Sequence, residues 1–142
     1  MKSFTTSEIG RVVVMHLGKG DLLLESIQQE AERQDIKNAV ILCGIGSMRK
    51  LVFHVITSTD DVSTDSFKTL EEPMEIGAIQ GLIIDGKPHF HIICSDPKNT
   101  YVGHLEPGTE IQYLAEICLM EVKGVDLVRK VDQFGIGYID ER

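Results

Sequence analysis

Thr109-Glu110-Ile111-Gln112-Tyr113-Leu114-Ala115-Glu116-Ile117-Cys118-Leu119-Met120-Glu121-Val122 reads as one long strand. Residues two apart on a strand share a face. Ile111, Tyr113, Ala115, Ile117 and Leu119 therefore make one apolar face, and Leu114, Cys118, Met120 and Val122 make the other nearly as apolar. A strand apolar on both sides needs cover on both sides. Working outward, Glu106-Pro107-Gly108 is a turn ahead of it, and nearly everything after Asn38 also reads as strand. Ala39 to Ile45 is a buried strand whose Gly44 and Gly46 allow a bend or a close approach. Leu51 to Thr57 follows, then a polar, acidic turn from Thr59 to Ser66. Glu75 to Asp85 and Pro88 to Ser95 form a hairpin around Asp85-Gly86. Asp96 to Thr100 is another turn, and Asp126 to Val131 is expected to pair at a sheet edge.

Before Asn38 lie one strand, Arg11 to Leu17, a Gly18-Lys19-Gly20 turn, and the single sustained helical signal. Asp21 is placed to cap a helix running through Gln34, with Leu23, Leu24, Ile27 and Ala31 on one face and Gln28, Glu30, Glu32 and Arg33 on the other. The expected fold is α+β: a mostly antiparallel, strongly curved β-sheet with one main α-helix, in a single domain over residues 1–142. One helix cannot cover both faces of so wide a sheet. Either the sheet curls into a barrel-like monomer or a neighbouring subunit covers the second face, and the oligomer is the expectation adopted.

The composition excludes several classes. At 42% apolar and 25% charged, the chain is ordinary globular protein, neither disordered nor collagen-like. Fourteen Lys and Arg against 22 Asp and Glu leave a net charge of −8, which repels a phosphate backbone or an anionic membrane surface. The longest apolar runs, Val12–Met15 and Ala39–Cys43, are far short of the roughly 20 residues of a spanning helix, and Met1–Glu8 lacks the apolar stretch of a secretory signal. Cys43, Cys94 and Cys118 are an odd number with no Cys-x-x-Cys pair. They read as reduced thiols, so the expected location is cytoplasmic.

The chemistry concentrates in Gly86-Lys87-Pro88-His89-Phe90-His91-Ile92-Ile93-Cys94. His89 and His91 project from one face of the strand, while Phe90, Ile92 and Cys94 point to the other. If residues 101 to 105 fold back beside this strand, His104 joins them. Three imidazoles with an open fourth position suit zinc first, and also nickel, copper or iron. Two stacked surface histidines would give the same His-x-His pattern. Cys94 points the wrong way to be a fourth ligand. His16 and His54 have no partner in sequence and read as core or surface histidines. Glu106 and Glu110 flank His104 and are the nearest candidates for a general base or a partner to a ligand.

Other stretches carry less. Gly44-Ile45-Gly46-Ser47 lacks the ending of a phosphate loop and the third glycine of a dinucleotide fingerprint, and reads as a strand bend. Ser95-Asp96 has no nucleophile-elbow motif around it. Glu71, Glu72 and Glu75 read as a solvated loop.

These motifs together resemble the plants-and-prokaryotes conserved (PPC) domain in its single-domain prokaryotic form, over Gly10 to Val122. The resemblance is carried by Gly18-Lys19-Gly20-Asp21-Leu22, Val40–Ser47 and Met74–Ile83. It is sharpest in Pro88-His89-Phe90-His91 and Gly103-His104-Leu105-Glu106-Pro107-Gly108-Thr109. It implies a compact α+β domain assembled as a homotrimer, with His89, His91 and His104 matching the residues that hold a metal, zinc by expectation. This chain has one glycine before His104 where many members have two. In plants the domain follows AT-hook segments that bind A/T-rich DNA, and no Arg-Gly-Arg-Pro hook is present here.

Three functional readings follow. The first is a trimeric metal-binding protein, with a small-molecule ligand or a protein partner. The second is a metal-dependent enzyme using a His-bound water in a hydrolytic or hydration step. The third, DNA binding as in the plant relatives, stands last on charge. No catalytic residue is assigned, and no membrane partner is expected.

Overall fold

A computed structural model describes residues 1–142. Nine strands and one helix run in the order β1 (Ile9–Gly18), α1 (Leu23–Arg33), β2 (Ala39–Ile56), β3 (Asp65–Leu70), β4 (Met74–Ile84), β5 (Lys87–Ser95), β6 (Thr100–Leu105), β7 (Glu110–Val122), β8 (Leu127–Val131) and β9 (Gly137–Glu141). The fold is α+β, mostly antiparallel and strongly curved. Seven strands form one sheet in the order β1-β7-β2-β4-β5-β6, with β3 on β2 and a further β2–β6 pairing. That last pairing, Phe53 opposite Leu105 and His54 opposite His104, curls the sheet back on β2.

β2 makes the curvature possible. The expected strands Ala39–Ile45 and Leu51–Thr57 are one bent strand. Its first part lies between β7 and β4, and its second part pairs with β3 and β6. Its register against β7 shifts between Ile41 and Cys43, between Gly46 and Met48, and again before Lys50. Such bulges bend a strand and increase its twist. The same irregularity turns Tyr113 outward: it is 71% exposed, not part of the covered face.

The inner face forms one core of 23 residues, among them Ile79, Phe90, Ile92, Ile111, Ile117 and Leu119. Burying each such side chain is worth about 1.5–3 kcal/mol. Leu23, Ile27 and Ala31 of α1 join it as the spacing requires. Three turns of helix are marginal alone, so the sheet holds α1 in place. Asp21 does not cap it: Leu22 stands at the cap position without a side-chain bond, and Asp21 Oδ2 accepts from the Gly18 amide at 2.7 Å.

The expectation of an edge strand at Asp126–Val131 is also corrected. β8 pairs only with β9, in a separate two-stranded sheet. The hairpin is fastened by Leu127 and Val128, both buried, and by Arg142, which donates to Asp126 Oδ1 and Asp85 Oδ1. The short β3 and β9 are strands beyond those expected from the sequence. No helix is long and apolar enough to cross a membrane.

Candidate metal centre

The strand register builds the site. His91 on β5 lies opposite His104 on β6, and His104 lies opposite His54 on β2. Directly opposed residues share a sheet face, so three imidazoles stand in a row across three strands. His89 joins from two residues along β5. Phe90 and Ile92, buried on the other face, anchor that strand in the core. The ring centroids of His89 and His104 are 4.7 Å apart, those of His91 and His104 5.5 Å, and those of His89 and His91 5.6 Å.

Two glycines permit this approach. A Cβ at Gly103 would stand 2.6 Å from both His54 O and Phe53 Cδ2, so only glycine lets β6 come this close to β2. Gly81 opposes Phe90 at φ +142°, and a side chain there would strike the His89 carbonyl.

Each of His89, His91 and His104 offers a ring nitrogen, and these atoms all lie within 4.8 Å of one another. His89 and His91 are exposed and His104 is half-buried. Burial lowers the pKa of His104 to about 4, helped by the neighbouring His89 and His54 and opposed by Glu106. Burial also lowers that of His89, followed by the positive charge of Arg129. Both shifts favour the neutral imidazole, the form that carries a free lone pair for a cation. The donor set therefore fits a borderline-soft divalent ion such as zinc. Cys94 is buried among the core side chains, and its thiol is pushed up to about 11 by that burial. It takes no part in the site.

His54 is the residue that sequence reading missed. Its ring stacks on His104 with centroids 4.5 Å apart, and its Nδ1 meets Glu106 Oε1 at 2.6 Å. His54, His104 and Glu106 thus form a second possible ligand set sharing His104 with the first. Nothing local in the sequence links residue 54 to residue 104; only the β2–β6 pairing does. Of the two flanking glutamates, Glu106 reaches the histidine row, while Glu110 turns away to Arg49 at 2.6 Å. Asp96 accepts from the amides of Lys98 and Asn99 and from the Tyr101 hydroxyl, contacts that close a turn and engage its carboxylate away from the histidines. His16 is exposed on β1, away from the row.

The paired histidine segments and the curved sheet agree with the match of a protein-family model. That model, described as the Plants and Prokaryotes Conserved (PCC) domain, matches residues 4–123. The chain belongs to this family. Among solved structures, a metal-containing protein from Archaeoglobus fulgidus is similar, with a TM-score of 0.84 at 27% identity, covering 99% of this chain and 100% of its own. A plant- and prokaryote-conserved protein from Pyrococcus horikoshii has a TM-score of 0.82 at 25% identity, covering 98% and 99%. Among curated proteins, the bifunctional protein GlmU of a Synechococcus strain is 26% identical over 131 residues, 92% of this chain. The PCC chain spans only 20% of that protein's length.

Proposed function

We propose that this PCC-domain chain is a metal-binding protein in which His89, His91 and His104 hold one divalent transition ion, with zinc the first choice. The observation that carries the reading is the convergence of three imidazole nitrogens within 4.8 Å on an open face. The similar Archaeoglobus protein, described as metal-containing, supports it. The cleft lined by His54, His89, His91 and His104 is about 410 Å³ and open to solvent, which suits exchange of a small ligand at the ion. The bound ion would supply Lewis acidity there. We place the protein in the cytoplasm, where its three cysteines, all free, stay reduced.

The test is elemental analysis of protein purified without chelator. One zinc-class ion per chain is expected, and none in the double variant His89→Ala, His91→Ala. Metal-free native protein that also fails to take up added zinc would overturn the reading.

A metal-dependent enzyme is the second reading, favoured by the hydrogen-bonded His54–Glu106 pair beside His104. That pair can accept a proton next to the ion. DNA binding remains the least supported reading. A net charge of −8 opposes a duplex, and four of the five arginines are already paired with carboxylates.

A further inference from the structure

The fifth arginine is Arg129, on the β8–β9 hairpin beyond the family-matched residues. Arg11 pairs with Glu121, Arg33 with Glu30, Arg49 with Glu110, and Arg142 with Asp85. Arg129 has no carboxylate partner, and its Nε is buried without any hydrogen-bond partner. A half-buried guanidinium stays charged, and leaving it unpaired is costly. The fold nevertheless directs it at the histidines. Arg129 and Ile139 line one cleft of about 370 Å³ together with Gln80, Leu82, His89 and His91. Its charge reaches His89.

A fixed cation beside a cation-binding site repels the ion it would serve. The arrangement becomes favourable once an anion lies between the two positive charges. We propose that this cleft receives a small organic anion, its carboxylate or phosphate head held by Arg129 and directed towards the ion on the histidines. The guanidinium fork matches either head group. Leu82 and Ile139 supply apolar walls for a short stem, and Gln80, opposite His91 on β4, offers a further polar contact. The position of the head over the ion rests on the proposed metal site; the anion-binding role of Arg129 does not.

Calorimetric titration tests this with butyrate and butyl phosphate as probes, on zinc-loaded and on metal-free protein. At least one probe is expected to bind the zinc-loaded wild type. Arg129→Gln should weaken it by about tenfold or more, and Arg129→Lys by less, since one charge-assisted fork is lost or reduced to a point charge. Zinc affinity in anion-free buffer should be unchanged or higher in Arg129→Gln, which shows that the variant is folded and its site intact. Arg129-dependent binding to metal-free protein supports the guanidinium's role even if no metal is taken up, so the two readings fail separately. Absence of binding by both probes, or equal affinity in wild type and Arg129→Gln, overturns the proposal. The probe that binds more tightly identifies the head group.

Discussion

His104 carries more of the site than either residue of the His-x-His pair. It belongs to both candidate ligand sets, faces His91 and His54 across two strand pairings, and is biased towards the neutral form by burial. Its folded pKa of about 4 lies below the ordinary 6.5. Below pH 6.5 the unfolded chain therefore takes up a proton that the native chain refuses, and stability falls as the pH drops towards 4. Glu121 acts in a lower window. Bidentate contact with Arg11 brings its pKa from 4.5 to about 2, so its contribution is present above 4.5 and lost on the way down to 2. Urea midpoints of metal-free protein should fall in both windows, and His104→Asn should flatten the upper one. A wild-type midpoint unchanged between about pH 7 and pH 4.5 would contradict the assigned shift.

At the scale of elements, β6 decides whether His104 reaches the site. Its contact with β2 passes through Gly103, which has no room for a methyl group against His54 O and Phe53. Gly103→Ala should push β6 outward, costing about 1–3 kcal/mol as overpacking does. It should also weaken zinc retention more than an equally destabilising core change far from the site. Denaturation midpoints alongside zinc stoichiometry measure both; wild-type zinc affinity in a destabilised Gly103→Ala would show that β6 does not position the ligand. The β8–β9 hairpin is the second element with a local role, since it delivers Arg129 to the neighbouring cleft that shares His89 and His91 with the histidine site.

On the scale of the whole molecule, curling the sheet does not finish the burial. Beyond the core, the outer face of β1, β7 and β2 leaves Val12, Val14, Leu42, Ile45 and Leu114 exposed, Val14 by 79%. Contiguous apolar surface of this kind marks an interaction site. Further copies of the chain in a closed ring would cover it and leave no open sticky surface; the number of copies, three, is what the resemblance to the PPC domain implies. Light scattering should therefore return about three times the chain mass of 15.8 kDa. Val14→Glu, whose side chain is exposed in the lone subunit, should keep the fold by circular dichroism and lower the mass. A native mass equal to one chain would refute the assembly.

Periodicity by itself determined the class of the fold. The helix stripe Leu23, Ile27 and Ala31 and the inner positions Ile111, Ala115, Ile117 and Leu119 are buried as their spacing requires, because burial of an apolar face is a local pattern. His89 and His91 were legible for the same reason: alternation on one strand needs no knowledge of its neighbours. Asp21 does not cap α1 because its carboxylate accepts the turn bond from Gly18, a competition that local sequence does not resolve. Tertiary structure alone decided the rest. The partnership of His54 with His104 and Glu106, the requirement for glycine at 103, and the approach of Arg129 to His89 all depend on strand pairings between segments distant in sequence. Register is set by how the whole sheet bends and which faces it buries, and a single strand's sequence does not contain that information.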